Sequence, residues 1–398
     1  MTGGRKTILF PAMSLGRTYL DRLLTAAEQS ANAIPHMVAA AERGAQRLVA
    51  GGRLYAASVR PDFVSEAYIR SGGLMMLQAC DDGQKVCRSD VVIVGWSGDS
   101  RGASLDLVKR LRGTHALVIG IGPPREELSS LVDACIGNDV QVPASLTGVF
   151  GVSYPVVSVH NLVLLWAFTG ELIAALTRLG QMPAVYQSVL VPGARARNDG
   201  LVTRRFHERH AVPPIEADEL GTAYLSEIAG CLRTVRDRQI EAVEQIADTC
   251  AEVIHRGNRI QAFLISHFPC HQAGAPGDPG FMHRLAIVHG ETPDLAELEE
   301  VLQPGDLFLF LGYYRRPVAA YEVARRRQCR IVEVITGTDD ADPAGALPDY
   351  VIRPGWRYTD ALVAVPGYDI CVLPASGIMQ TAIYWAIVAE IATRVSPG

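Results

Sequence analysis

The chain has 398 residues, 48% of them apolar, and a formal charge of −5. Such a length and apolar content bury a sizeable core and predict two domains. The slight net acidity excludes a globally basic surface for nucleic acid or membrane, and the eight scattered cysteines form no CxxC pair of the zinc-ribbon kind.

The opening "MTGGRKTILFPAMSLG" holds too short an apolar run for a signal peptide, so a cytoplasmic, reducing setting is expected. Residues 18–50 carry helical apolar spacing and stop at Gly51-Gly52. A strand "RLYAAS" (53–58) follows, then "DVVIVG" (90–95), the turn Ser97-Gly98-Asp99-Ser100, a helix from about Ala103, and the strand "ALVIGIG" (116–122). The apolar stretch 148–176 is broken by His160, Asn161 and Glu171, so no membrane span is expected. It closes on the helix "LLWAFTGELIAALTR" (164–178).

Residues 193–217 read as a polar, proline-bearing connector of solvated charge. Beyond it the same order returns. A helical stretch over 223–256 stops at Gly257-Asn258 and runs into "RIQAFLIS" (259–266), "DLFLFLG" (306–312), "RIVEVIT" (330–336) and the closing helix "IYWAIVAEIATR" (383–394). Trp166 and Glu171 keep the spacing of Trp385 and Glu390. The chain therefore reads as a duplication, residues 1–192 and 218–398 around the connector. Helices alternating with continuous Val/Ile/Leu/Phe runs predict an α/β fold with parallel sheets buried on both faces.

Ligands of such sheets sit beyond the carboxyl ends of the strands. There Ser97, Gly98, Asp99 and Ser100 suit a phosphate, through close backbone approach, hydroxyl donors and a helix N-terminus. The same residues also suit a plain helix cap. In the second half Tyr313-Tyr314 fill the matching turn and would crowd a phosphate out, while Arg315 and Arg316 follow as either a substitute phosphate clamp or a solvent-facing pair.

The chain resembles the sugar isomerase (SIS) superfamily over nearly its whole length, twice. "GGRLYAASVRPDFVSEAYIRSGG" (51–73) aligns without a gap with the start of the small phosphosugar-isomerase-like members. "GWSGDS" (95–100) matches their Ser-x-Ser-Gly-x-Ser/Thr phosphate loop except at its first position, and "VLPASGIMQTAIYWAIVAEIATR" (372–394) looks like their closing helix. The resemblance implies two tandem flavodoxin-type three-layer αβα domains forming an internal pseudo-dimer. It also implies a phosphorylated sugar as ligand, no organic cofactor or metal, no nucleic-acid or membrane partner, and a homodimer or higher oligomer. Tandem members include both enzymes and a binding regulator, so the fold alone does not choose the function.

On that resemblance Ser97, Gly98, Asp99 and Ser100 hold the phosphate, with Arg60 nearby. Glu66 moves the carbon-2 proton of an open-chain sugar phosphate, its pKa raised by partial burial. His160, at the start of the first closing helix, or His267, at the place of the loop's first histidine, assists ring opening. The family loop "GTGHSH" is replaced by "ASVRPD" at residues 57–62, which leaves two further functions open: a catalytically inactive sugar-phosphate regulator, and an enzyme with the site turned to a non-sugar substrate. The cluster His267, Cys270 and His271 lacks further ligands at a zinc spacing.

Overall fold

A computed structural model describes residues 14–80, 86–98, 101–142, 146, 152, 154–208, 212–265, 267–286, 292–337, 347–356 and 358–395. In the first half come helices α1 (Leu15–Gln29), α2 (Ile34–Val49), α3 (Pro61–Ala67), α4 (Arg101–Gly113), α5 (Glu126–Ser129) and α6 (Val156–Arg178), with strands β1 (Leu54–Ser58), β2 (Leu77–Ala79), β3 (Val91–Gly95), β4 (Leu117–Gly122) and β5 (Ala134–Gly137). Helix α7 (Ala194–Leu201) follows. The second half holds α8 (Glu219–Arg238), α9 (Ile240–His255), α10 (Leu295–Val301), α11 (Val318–Arg326) and α12 (Ser376–Arg394), with β6 (Ile260–Leu264), β7 (Met282–Arg284), β8 (Leu307–Leu311), β9 (Arg330–Val334), β10 (Tyr350–Ile352), β11 (Ala361–Val363) and β12 (Val372–Pro374).

The first sheet runs β2-β1-β3-β4-β5 and the second runs β7-β6-β8-β9-β10, the same order, with every pairing parallel. The central registers match too, Leu54 facing Val91 in one and Ile260 facing Leu307 in the other. Buried aspartates anchor both sheets alike. Asp90 accepts the N–H groups of Arg53 and Cys87 at 2.9 and 2.8 Å, and Asp306 accepts those of Arg259 and Gln303 at 2.9 and 3.0 Å. All six expected strands are present. The helical stretches 18–50 and 223–256 are each two helices, broken at Ser30–Ala33 and at Gln239.

Both sheets are fully parallel, so each needs helices on both faces. The inner layer is shared: α1 packs on α12 and α8, while α6 packs on α2 and α8. One continuous apolar core runs through both halves. Helix α6 is long and apolar enough to cross a membrane, and 89% of its apolar window is buried inside the protein. The connector is docked at Arg197 and Arg205, while Arg195 and Arg204 stay exposed as its composition predicts. Arg197 grips Asp369 at 2.9 and 3.1 Å and the Tyr368 hydroxyl at 3.0 Å, and Arg205 reaches the Leu48 carbonyl at 2.7 Å.

Candidate ligand site at the seam of the two halves

Pro61 sits in the first turn of α3, where its fixed φ suits a helix start. The helix is short; Tyr68 is extended and Ile69 has φ 50°, which folds Arg70 back over α3. Arg70 Nε then meets Glu66 Oε1 at 2.9 Å, with both side chains 1% exposed. The other arm of the guanidinium crosses to the second half. It lies 3.2 Å from Asp360 Oδ2, donates to the Ser376 hydroxyl, and stands 3.3 Å from the Tyr313 hydroxyl.

Asp360 in turn accepts the Ser376 N–H at 2.8 Å, the Ala375 N–H at 3.3 Å and the Ser376 hydroxyl at 2.9 Å. Its carboxylate therefore caps the positive end of α12. The second oxygen of Glu66 accepts the Phe268 N–H at 3.3 Å. One cation thus serves two buried carboxylates. Burial pushes the Glu66 carboxyl above its ordinary value, further than Arg70 pulls it down.

His267, at φ 71°, places Nδ1 2.8 Å from the Ser65 carbonyl. A carbonyl only accepts, so Nδ1 carries the proton and Nε2 keeps its lone pair. Burial, then the charge of Arg70, push this imidazole down to about 3, so it is neutral at physiological pH. Arg70, His267, Tyr313 and Asp360 line a cleft of about 280 Å³, closed on its other side by Ser188 and the α7 residue Arg195. Tyr314 stands behind it, its hydroxyl 2.5 Å from that of Ser188.

Backbone strain gathers on the same seam. Of the eight non-glycine residues with left-handed φ among the described residues, five are Ile69, His267, Thr359, Asp360 and Leu373. Thr359 and Leu373 bond directly to the segment carrying Arg70, through Ser71 and Gly72. For β-branched Ile69 and Thr359 such a conformation is costly, and costs of this kind cluster where a ligand is held.

The structure brings Glu66 and His267 together and sets the other expected residues apart. His160 opens into a different cavity, its ring nitrogens 2.7 Å from Asn138 Oδ1 and 2.6 Å from Ser30 Oγ. Ser97 and Arg60 line a separate void of about 10 Å³ that Phe63, Trp96 and Phe268 wall in. That is about the room of one water. Arg60 there pairs with Asp62 at 3.2 Å. The Gly98 carbonyl meets Arg125 at 3.5 Å, while Asp99 and Ser100 lie outside the described residues. Arg316 points inward to buried Glu333 at 2.8 Å, so it is no solvent-facing arginine. Among the described residues no three His, Cys, Asp or Glu side chains gather as a metal site. Sequence reasoning missed Arg70, Asp360 and Ser376; only the i,i+4 spacing of Glu66 and Arg70 gave a signal.

No protein-family model matches the sequence, and no curated protein matches it. Solved structures do match. The C-terminal domain of glucosamine-fructose-6-phosphate aminotransferase from Francisella tularensis aligns with a TM-score of 0.50 at 9% identity, covering 94% of this chain and 95% of that one. A candidate phosphosugar isomerase from Clostridium difficile aligns at 0.48 and 9%, covering 96% and 92%. Another from Silicibacter pomeroyi aligns at 0.46 and 10%, covering 96% and 98%. The first of these likenesses shows a shared fold across both halves, the one the SIS resemblance implied.

Proposed function

We propose that the protein binds a phosphorylated sugar in the seam cleft. The Arg195 guanidinium at the rim takes the phosphate, and polar atoms of Arg70, Tyr313, Ser188 and His267 meet the sugar hydroxyls. The observation that carries this reading is the convergence of these side chains, from both halves and α7, on one cleft of about 280 Å³ with a strained wall. The volume is close to the lower end of small-molecule sites. Residues 1–192 and 218–398 are the two contributing halves, and since one chain supplies both walls, the composite site needs no homodimer.

Binding takes precedence over enediol isomerisation in this reading. Both oxygens of Glu66 are engaged, by Arg70 and by the Phe268 N–H. A base so held would have to leave its cation before taking a proton from carbon-2. The phosphate goes to Arg195 in this reading, because Arg195 lines the seam cleft and Ser97 does not. A second reading is favoured by Tyr313 in the cleft wall: a seam re-equipped for chemistry on a non-sugar substrate.

Proton NMR in heavy water separates these readings, with the protein and a panel of pentose, hexose, heptose and amino-sugar phosphates. Ligand broadening without loss of the carbon-2 signal is expected. Carbon-2 exchange would replace the binding reading with isomerisation by Glu66. Neither broadening nor exchange would leave the non-sugar enzyme.

A further inference from the structure

A second cavity, of about 480 Å³, lies in the first half between the elbow joining α1 to α2 and the carboxyl ends of β4 and β5. It shares no lining residue with the seam cleft. Its wall contains Ser30 and His160, each 4% exposed. Ser30 Oγ stands 2.6 Å from His160 Nε2, and His160 Nδ1 stands 2.7 Å from Asn138 Oδ1.

The proton positions follow from the partners. The Asn138 amide nitrogen donates to the Val157 carbonyl at 2.9 Å and to Asn161 Oδ1 at 2.7 Å, so its oxygen faces the imidazole as an acceptor. Nδ1 therefore carries the ring proton and Nε2 receives the Ser30 hydroxyl. Burial pushes the imidazole down to about 4, so it is neutral at physiological pH and Nε2 keeps its lone pair. The Ser30 hydroxyl also lies 2.9 Å from the Ala26 carbonyl, so its proton has two acceptors. Passing it to Nε2 needs only a rotation of the side chain. Packing does not demand an imidazole here, since the matching point of the second closing helix is Met379.

We propose that Ser30, His160 and Asn138 form a second, hydrolytic site that accepts a small acyl ester. Such a nucleophile, base and orienter make the arrangement that activates a hydroxyl for acyl transfer. Ser30 Oγ attacks the ester carbonyl carbon while its proton passes to Nε2. The alcohol leaves with that proton, and the acyl group stays on Ser30. Water then gives a proton to Nε2 and its oxygen to the acyl carbon; the acid departs and the proton returns to Oγ. Asn138 holds the imidazole in the required tautomer throughout. Gln29 and Asn32 line the same cavity, and their carboxamides carry N–H groups of the kind an oxyanion needs.

The test is labelling of the full chain with a fluorophosphonate probe, mapped by peptide mass spectrometry, beside p-nitrophenyl acetate turnover. One adduct on Ser30 is expected, absent in Ser30→Ala with an unchanged melting curve. His160→Gln slows labelling by about a hundredfold or more. Should that variant unfold, Asn138→Ser, which leaves Ser30 and His160 in place, must slow it as well. An unlabelled wild type, or equal labelling of Ser30→Ala, overturns the proposal.

Discussion

Glu171 and Glu390 each cap the opening helix of the other half. From α6, Glu171 accepts the N–H groups of Asp218 and Gly221 at 2.9 and 2.8 Å, at the start of α8. From α12, Glu390 accepts the Gly16 N–H at 2.7 Å and the Ser14 hydroxyl at 2.6 Å, at the start of α1. The two glycines leave the carboxylates room: a Cβ on Gly221 would stand 2.7 Å from Glu171 Oε1, and one on Gly16 would stand 2.9 Å from Glu390 Cγ. Alanine at either glutamate orphans helix N–H groups. Each change should cost about 1–3 kcal/mol in urea unfolding, and an unchanged midpoint would contradict the reciprocal capping.

Arg70 is the only cation bonded to both Glu66 and Asp360 among the described residues. Arg70→Met leaves two buried carboxylates without it and should cost about 3–5 kcal/mol at neutral pH. Protonation relieves the repulsion, so the deficit should shrink in acid. A deficit that is constant from pH 7 to pH 4 would show that the cluster is not held by charge.

Gly377 faces the Glu66 carboxylate with no room for a side chain, since an added Cβ would stand 2.2 Å from Oε2. Gly377→Ala must push Glu66 off Arg70. A loss of about 1–3 kcal/mol is expected, as for overpacked cores, and Glu66→Ala should cancel part of it. Additive losses in the double variant would contradict the contact.

Much of the fold was legible in the sequence because β3, β4 and β8 are buried on both faces and read as unbroken apolar runs, with β1, β6 and β9 broken only by single polar residues or at their ends. The edge strands Leu77–Ala79, Met282–Arg284 and Tyr350–Ile352 were not, being three residues long and without a pattern. Helical spacing continues through Ser30–Ala33, and the elbow's mark, Pro35 in the first turn of α2, was passed over. Glu66 and His267, both set at the seam by the fold, were singled out through the family resemblance. Their neighbours were not, because Ser376 lies 306 residues beyond Arg70 and long-range pairing leaves no local signal. The connector reads as solvated from its composition, yet two of its arginines, Arg197 and Arg205, fold inward onto Asp369 and the Leu48 carbonyl.

Acid should weaken the fold through two histidines. Their folded values, about 4 for His160 and about 3 for His267, lie below the ordinary 6.5. The unfolded chain therefore binds protons that the folded chain refuses. Their contribution is complete above pH 6.5 and is lost as pH falls through 4 toward 3. Glu66 and Glu171, pushed up by burial, act in the opposite sense. The difference between wild type and His160→Gln isolates the histidine, and it should change by up to about 1.4 kcal/mol per pH unit between those limits. A flat difference would contradict the neutral assignment.

The most direct test of the seam is a ligand-observed NMR titration of sugar phosphates against wild type, Arg195→Glu and Ser97→Asp. Broadening in wild type that inorganic phosphate competes away, lost by about tenfold or more in affinity in Arg195→Glu and kept in Ser97→Asp, is the predicted result. Binding that Ser97→Asp abolishes and Arg195→Glu spares, or no binding of any sugar phosphate, would contradict it.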